Sequence, residues 1–507
     1  MSVLDKQQTI AVIGTGTMGA GIAQVAAAAG HPVLLYDAMA GAAEKAIADT
    51  GKALDGLVAK GRMSQEARDA LIGRLGCVAT LGDLAPAKLV VEAVKEDLSI
   101  KRTLFSELEG IVGGDAILAS NTSSLSITAI AAALKKPERF AGLHFFNPAP
   151  LMPLVEVVSG LATAPSVMET LMATASAWGK SPVATRSTPG FIVNRVARPF
   201  YAEGLRVLQE GGGDVATLDA IMREAAGFRM GPFELMDLIG HDVNFAVTSS
   251  VHASYFGDPR FTPSIIQQEL VEAGRLGRKS GRGFYDYAPG AVKPEAATAP
   301  DAQRPTEVEI TGDLGPAEPL VALIQGAKIK LRRKAAGGVG RIQIGAATAV
   351  LTNGMSATER AASLGLADLI VFDLALDWAA AQRVAIAAAE QASPEALAAV
   401  AGLFQALGKS VSVLADIPGL IVLRTVAMLA NEAADTALHR VATMAAIDLA
   451  MVKGTNYPKG PLAWADAIGP AAILAVLDNL ARTYGEDRYR ASSLLRRVAA
   501  RGGRFHP

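Results

Sequence analysis

His144 and Glu156 form a pair that the sequence predicts to be buried. Glu156 is the only ionisable residue in the apolar run 154–158, and His144 lies in the predicted strand 142–146. A carboxylate in an apolar strand is costly unless a partner offsets its charge. The turn 147–150 between the two strands would return the chain so that Glu156 meets His144. A carboxylate-held histidine suits a general base acting on an alcohol, although a purely structural pair fits these residues equally well.

A glycine-rich turn follows the first predicted strand, Thr9–Ile13, and opens an Ala-rich helix. Gly14 would allow a tight turn, Gly16 would let backbone amides approach a pyrophosphate, and Gly19 would let the helix pack on the strand. Asp37 ends the next strand, where an acidic residue accepts hydrogen bonds from a ribose 2′-OH and repels a 2′-phosphate. The pattern predicts an NAD site formed by Gly14, Gly16, Thr17, Met18, Gly19 and Asp37.

Two further polar positions could contact a ligand. The segment Ser120–Ser124 follows a predicted strand, at the sheet edge where ligands of such folds bind. Its residues could instead cap the helix that follows, and both roles can hold together. Asn194 lies among apolar neighbours near the start of a helix, so its amide needs a partner, either a substrate or a core group.

Composition limits the possible functions. The chain has 507 residues, enough for three or four domains, and its 48 basic and 49 acidic residues create no field that would recruit nucleic acid or a membrane. The single cysteine, Cys77, and the lack of a long apolar segment lead us to expect a soluble, cytoplasmic protein. The histidines other than His144 have no partners at metal-ligand spacing, and we expect no metal site.

The chain divides into segments of different composition. Strand and helix patterns alternate over the first 190 residues, which predicts a parallel sheet. The expected strands are 9–13, 33–36, 89–92, 117–120, 142–146, 155–158 and 183–185. A helical region follows, and the Pro-rich stretch 289–305 reads as a linker.

The helical region occurs twice. Gly190 and Gly231 are 41 residues apart, as are Gly419 and Gly460, and the motifs around them match. Between the copies, residues 367–373 echo 87–93, which suggests a reduced version of the first domain without its glycine turn. The predicted domains are therefore 1–187, 188–288, 306–416 and 417–507, with the linker at 289–305.

The motifs taken in order resemble the 3-hydroxyacyl-CoA dehydrogenase family. The matching segments over residues 8–287 are GxGxMGxGIA, SNTSSLSIT, FAGLHFFNPAPLMPLVEVV, TPGFIVNRV and MGPFELMDLIG. The resemblance implies an α/β fold: a Rossmann-like NAD-binding domain, an all-α domain like that of 6-phosphogluconate dehydrogenase, a reduced Rossmann domain and a second, degenerate helical copy. The layout is similar to the long bacterial form, whose substrates include 3-hydroxybutyryl-CoA and the 3-hydroxyadipyl-CoA of phenylacetate breakdown.

The resemblance also implies roles for individual residues. His144 would remove the proton of the 3-hydroxyl and Glu156 would orient it, while Ser123 and Asn194 would position the substrate. The expected further NAD contacts are Glu96, Lys101, Ser123, Asn147 and Lys279, and the candidates for the CoA phosphates are Lys52, Lys60 and Arg62.

Two other functions remain open on the sequence: a dehydrogenase of free 3-hydroxy acids, of the gulonate type, and a non-catalytic crystallin-like protein. No nucleic-acid or membrane partner is expected. A homo-oligomer is possible, and the two helical copies are expected to pair within one chain as a pseudo-dimer.

Overall fold

The computed structural model describes residues 3–506, except the side chain of residue 336, and it forms two compact units. The first comprises the residues up to Arg195 together with His439–Thr455. The second comprises Val196–Leu438 and the residues from Asn456 onward. Within the described chain, no single helix is long and apolar enough to cross a membrane; the pair Pro461–Ile468 and Pro470–Tyr484, bent by 99°, passes on length and composition together.

The first unit is built on an eight-stranded sheet in the order β3-β2-β1-β4-β5-β6-β7-β8. The strands are β1 (Thr9–Ile13), β2 (Val33–Tyr36), β3 (Leu75–Cys77), β4 (Ala87–Glu92), β5 (Ile117–Ser120), β6 (Phe140–Phe145), β7 (Leu154–Ser159) and β8 (Ser181–Arg186). The helices are α1 (Thr17–Ala29), α2 (Ala42–Ala59), α3 (Gln65–Ile72), α4 (Leu98–Ile111), α5 (Ile127–Ala131), α6 (Pro165–Ala177) and α7 (Val193–Val196). Neighbouring strands are parallel except β6 and β7, which are antiparallel.

All seven predicted strands form in this sheet. Their apolar residues are buried on both faces, as expected of strands covered by helices on each side. The strand β3 was not predicted, because it has only three residues and lies half-exposed at the sheet edge.

The second unit contains a seven-stranded sheet in the order β10-β9-β11-β12-β13-β14-β15. The strands are β9 (Glu307–Asp313), β10 (Lys330–Val339), β11 (Arg341–Ile344), β12 (Ala347–Leu351), β13 (Leu369–Phe372), β14 (Arg383–Ala388) and β15 (Ser410–Val413). The helices that follow α7 in the chain are α8 (Arg198–Gln209), α9 (Val215–Glu224), α10 (Pro232–Ile239), α11 (His241–Ser254), α12 (Ile265–Glu272), α13 (Leu320–Gly326), α14 (Ala357–Leu364), α15 (Pro394–Ala406), α16 (Val422–Leu438), α17 (Met444–Thr455), α18 (Pro461–Ile468), α19 (Pro470–Tyr484) and α20 (Ser493–Ala500).

The repeat begins earlier in the chain than the sequence analysis placed it. Gly190 and Gly419 are 229 positions apart, and the same separation relates the starts of β6 and β13, of β7 and β14, and of α6 and α15. Like β6, β13 is parallel to the strand on one side and antiparallel to the strand on the other. At this separation residues 367–373 correspond to 138–144 and not to 87–93. The two segments looked alike because short buried strands share an apolar composition whatever their place in a sheet.

In the structure, the predicted linker and the last predicted domain are not separate parts of the chain. Residues 289–305 contain no helix or strand, yet Ala297 N–H donates to Thr217 Oγ1 (2.8 Å) and Ala299 N–H to the carbonyl of Val411 (2.7 Å). The stretch is thus held along the second unit. The segment 417–507 is divided between the units, because α17 packs on β7 and β8 of the first.

Candidate active site

The antiparallel pairing of β6 with β7 places His144 directly opposite Glu156. His144 Nδ1 lies 2.7 Å from Glu156 Oε2, and both residues are buried, with 5% and 0% of their surfaces exposed. The histidine ring also contacts Phe146 and Phe191, at 4.5 and 5.8 Å between ring centroids. Nε2 has no partner within the described residues, so it is the nitrogen left free to exchange a proton.

The second oxygen of Glu156 holds the start of α7. Oε1 accepts hydrogen bonds from the N–H groups of Ile192 and Val193, each at 3.0 Å. Asn194 is the next residue and is half-buried. One buried carboxylate therefore fixes both the imidazole and the turn of helix that carries Asn194.

The loop after β5 is tied down by Glu96. Its carboxylate accepts hydrogen bonds from the hydroxyls of Thr122 and Ser124, the latter at 2.8 Å, and Lys101 Nζ lies 3.1 Å away. Burial raises the pKa of Glu96, but Lys101 and these hydrogen bonds outweigh it and hold the pKa below its usual value. Ser123 Oγ makes no hydrogen bond to any other described residue, which leaves it available to a ligand.

A buried network beneath this loop escaped the sequence analysis. Glu92, at the end of β4, is fully buried and accepts hydrogen bonds from Lys101 Nζ (2.7 Å) and Ser120 Oγ (2.6 Å). The signal was present, since Glu92 ends an apolar strand just as Glu156 interrupts one. Lys101 is 1% exposed and bound to two carboxylates, so the structure shows it positioning Glu92 and Glu96, and its predicted NAD contact stays a prediction.

Asn121 joins the loop to the histidine strand. Its Oδ1 accepts a hydrogen bond from the N–H of Phe145, the residue after His144, at 2.8 Å. Asn121 was not among the predicted site residues. Through this bond and the Glu156 contacts, the elements that carry Ser123, His144 and Asn194 are fixed to one another within the first unit.

The glycine turn has the geometry that a dinucleotide needs. Gly14 has φ +85°, and a Cβ on it would lie 2.7 Å from the carbonyl oxygen of Ala93. A Cβ on Gly19 would lie 1.7 Å from the carbonyl oxygen of Gly14, so helix and strand pack closely there. Nothing lies within 4 Å of the Cβ position of Gly16. The turn therefore presents the first-turn N–H groups of α1, Thr17 and Met18 among them, to an open space suited to phosphate.

Asp37 closes the other side of this turn. Its Oδ2 accepts hydrogen bonds from Thr15 N–H (2.7 Å) and Thr15 Oγ1 (2.9 Å), and Oδ1 accepts one from Met39 N–H (3.0 Å). Partial burial raises the pKa of Asp37, but these bonds more than offset it, and the pKa lies below its usual value. A fixed, ionised carboxylate at this point favours a free ribose hydroxyl over a phosphate ester.

A cavity of about 740 Å³ extends from the glycine turn. Its walls come from the carboxyl ends of β1, β2 and β4 and from α4, and include Gly14, Asp37, Val94 and Thr103. β1 and β4 are neighbours in the sheet where the strand order reverses, the usual dinucleotide position. Size, lining and position all fit NAD.

The remaining predicted ligand residues are exposed. Asn147 follows β6 and precedes a cis peptide bond with Pro148. Lys279 belongs to the second unit, where its Nζ lies 2.5 Å from Asp242 Oδ1.

Of the CoA candidates Lys52, Lys60 and Arg62, only Lys52 has an acidic neighbour, Asp49 at 3.9 Å. A cavity of about 580 Å³ between α1 and α2 is lined by Lys45 and by none of these three. Over residues 3–506, no cluster of three His, Cys, Asp or Glu side chains suits a metal ion.

Comparison with known proteins identifies the family. Residues 9–188 match the NAD-binding domain of 3-hydroxyacyl-CoA dehydrogenase, and residues 190–287 and 419–504 both match its C-terminal domain. Residues 349–418 match the reduced Rossmann-fold domain of 3-hydroxybutyryl-CoA dehydrogenase. The chain belongs to the 3-hydroxyacyl-CoA dehydrogenase family. The predicted fold class is thereby confirmed, as are the reaction class, NAD-dependent oxidation of a 3-hydroxyacyl-CoA, and the cofactor.

Long bacterial members of this family resemble the chain over nearly its whole length. A 3-hydroxyadipyl-CoA dehydrogenase of Escherichia coli K12 is 46% identical over 495 residues, 97% of each chain. A crystal structure of 3-hydroxybutyryl-CoA dehydrogenase from Escherichia coli K12 superposes with a TM-score of 0.89, at 45% identity and over 98% of this chain and 99% of the other. The shorter 3-hydroxybutyryl-CoA dehydrogenase of Clostridioides difficile is 40% identical over 55% of this chain and 99% of its own. The names of these relatives specify two different acyl groups.

Proposed function

We propose that His144 is the general base of this dehydrogenase and that Glu156 is the residue that positions it. The supporting observation is the buried bond between Nδ1 and Oε2, which leaves Nε2 free and fixes the tautomer in which Nε2 can accept a proton. A second contribution follows from the charge of Glu156, which stabilises the imidazolium as it forms.

In the proposed reaction, Nε2 of His144 takes the proton of the 3-hydroxyl group. Ser123 Oγ and the Asn194 amide hold the substrate oxygens, because both are polar groups fixed near the histidine by their neighbours. A bound NAD would supply the acceptor for the hydride from C3, so that the product is a 3-oxoacyl-CoA. The backbone amides of the glycine turn bind the pyrophosphate, and Asp37 binds the ribose hydroxyls.

We propose 3-hydroxyadipyl-CoA as the preferred substrate and 3-hydroxybutyryl-CoA as a second one. The full-length similarity to a 3-hydroxyadipyl-CoA dehydrogenase supports this order. Lys52, Lys60 and Arg62 remain candidates for the CoA phosphates. The lone cysteine agrees with a cytoplasmic location, which is also a proposal.

A panel of (3S)-3-hydroxyacyl-CoA thioesters, with the matching free hydroxy acids, tests the substrate assignment. NADH formation should be fast with the thioesters and at least about a hundredfold slower with the free acids, since the CoA contacts would be missing. Equal specificity constants for the adipyl and butyryl thioesters would contradict the stated preference. Faster turnover of the free acids would instead favour the gulonate-type alternative.

We also propose that the second half of the chain is a scaffold without catalysis of its own. At the 229-residue separation, His144 corresponds to Asp373, Glu156 to Ala385 and Asn194 to Leu423. Asp373 is buried and accepts hydrogen bonds from the N–H groups of residues 421, 422 and 423, at 2.7 to 3.0 Å. As in the first copy, a carboxylate accepts the N–H groups at the start of the helix. Here it belongs to Asp373, which follows β13, the equivalent of β6, whereas Glu156 lies on β7. Asp373 holds no histidine.

Matched contacts between the two helical copies support a pseudo-dimer within the second unit. Tyr489 Oη donates to Glu203 Oε2 at 3.0 Å, and Arg260 Nη1 lies 3.3 Å from Glu432 Oε2. Glu432 lies 229 positions after Glu203, and Tyr489 lies 229 positions after Arg260. Reciprocal contacts of this kind are the signature of a two-fold interface. Here both sides belong to one chain, with α8 packed on α16.

The stoichiometry of ligand binding tests the scaffold role. Calorimetric titration of the full chain with NAD, and separately with acetoacetyl-CoA, should give one site per chain for each ligand. Two equivalent NAD sites would overturn the proposal. The oligomeric state, measured by light scattering, is a separate test: if the second copy takes the place of a partner subunit, the chain should be monomeric.

A further inference from the structure

A cavity in the second unit has no part in the site described above. It has a volume of about 210 Å³ and lies between α8, α11 and the segment 260–267. Its walls include four arginines, Arg198, Arg206, Arg260 and Arg488, and no carboxylate among the described residues. Arginines around a small space attract a negatively charged group unless neighbouring carboxylates offset their charges.

Three of these arginines already have carboxylate partners behind the cavity wall. Arg206 Nη2 lies 2.8 Å from Glu486, and Arg488 Nε lies 3.8 Å from the same carboxylate. Arg260 Nη1 lies 2.6 Å from Asp435. Their charges are therefore offset within the protein and do not by themselves call for a ligand.

Arg198 differs from them. The residue is only 5% exposed, yet it makes no ion pair with any described carboxylate. Nη1 donates to Thr248 Oγ1 at 2.9 Å, and the guanidinium lies 4.9 Å from the centre of the Tyr201 ring. Burial lowers the pKa of Arg198 from its very high usual value. A buried cation without a counter-charge is costly, so a protein that keeps one has a use for it.

The free edge of Arg198 identifies the ligand group. Nε is buried without any hydrogen-bond partner, and Nη2 makes no hydrogen bond to a described residue. Nε and Nη2 form one edge of the planar guanidinium, which matches the two oxygens of a carboxylate. Ser264 Oγ, in the same cavity, is also buried without a partner.

We propose that this cavity binds a carboxylate through the Nε–Nη2 edge of Arg198, with Ser264 Oγ as a further donor. The carboxylate can come from the far end of a dicarboxylic acyl group or from a free carboxylate anion. The first source rests on the proposed preference for 3-hydroxyadipyl-CoA, whereas the second does not. Arg195, the residue after Asn194, is bonded to His439, whereas Arg198, three residues further along, has its Nε free for this role.

The test compares wild type with Arg198→Met, and uses Arg229→Met, an exposed arginine, as the matched control. Binding of adipate to the full chain is measured by calorimetry and by the shift in Tm, neither of which requires catalysis. Affinity for adipate should fall about tenfold to a hundredfold in Arg198→Met, the usual worth of a charged hydrogen-bonded pair. It should be unchanged in Arg229→Met. The Tm of ligand-free Arg198→Met should be no lower than that of wild type, because the change removes a buried charge without a partner.

Kinetics then distinguish the two sources. If the carboxylate belongs to the substrate, Arg198→Met should lower the ratio of kcat/KM for 3-hydroxyadipyl-CoA to kcat/KM for 3-hydroxybutyryl-CoA by a similar factor. Lost adipate binding with an unchanged ratio supports the site and assigns it to a free carboxylate. Ser264→Ala, which should weaken adipate binding less than Arg198→Met, serves if the arginine variant does not fold. Equal adipate binding by wild type, Arg198→Met and Ser264→Ala would overturn the proposal.

Discussion

Replacing Glu156 by glutamine tests the catalytic geometry without removing the side chain. Glu156 Oε1 accepts two backbone N–H groups, and Oε2 faces His144 Nδ1 at 2.7 Å. A glutamine can keep its oxygen on the backbone pair, which leaves its NH₂ group facing Nδ1. Since that group only donates, Nδ1 must become the acceptor and the ring proton must move to Nε2.

The moved proton disables the base. Nε2 would then carry a hydrogen and could not take one from the 3-hydroxyl, and the charge that stabilises the imidazolium would also be lost. The same carboxylate-to-amide change in a Ser-His-Asp triad lowers kcat by about four orders of magnitude through the wrong tautomer. We therefore expect kcat of Glu156→Gln to fall by about two to four orders of magnitude.

NADH absorbance gives kcat and KM, and titration with NAD gives the cofactor affinity. NAD affinity should change little, because Glu156 does not belong to the glycine turn. His144→Gln should lose activity to a similar degree, and the double variant should be no worse than the worse single one, since the two residues act as one unit. A Glu156→Gln enzyme that keeps more than about a tenth of wild-type kcat, with unchanged Tm, would refute this reasoning.

Three further predictions concern the cofactor, the second half of the chain and pH. Asp37→Ala should narrow the preference for NAD over NADP by about tenfold or more, since the carboxylate that repels a 2′-phosphate is gone; equal preference ratios in variant and wild type would remove Asp37 from this role. Leu423→Asn should leave kcat and the number of NAD sites per chain at wild-type values, and a second site appearing in titration would contradict the scaffold role. Burial raises the pKa of Asp219 to about 7, from an ordinary value of 3.8. The stability linked to this group is thus complete below about pH 4 and lost as pH rises through about 7. The Tm of wild type minus that of Asp219→Asn should fall over that range, and a flat difference would contradict the shift.

The sequence by itself predicted the parts whose signals are local. These parts are the glycine turn, the apolar strands around His144 and Glu156, and the repeated helical motifs. Each occupies a short stretch of the chain, and its spacing of residue types indicates one kind of local structure. The meeting of His144 and Glu156 followed from a short connection, residues 146–153, between two apolar runs. The family motifs then supplied the order of the domains.

Tertiary structure decided which distant groups complete each site. Glu92 and Lys101 are 9 residues apart, but their pair matters because Ser120 and Glu96 join it, and folding alone brings these together. Nothing in the sequence places α17, from the second helical copy, on β7 and β8 of the first sheet. Whether a carboxylate offsets the charge of an arginine depends on residues from far along the chain. Only the structure therefore shows that Arg198, unlike the other arginines of its cavity, has no carboxylate partner among the described residues.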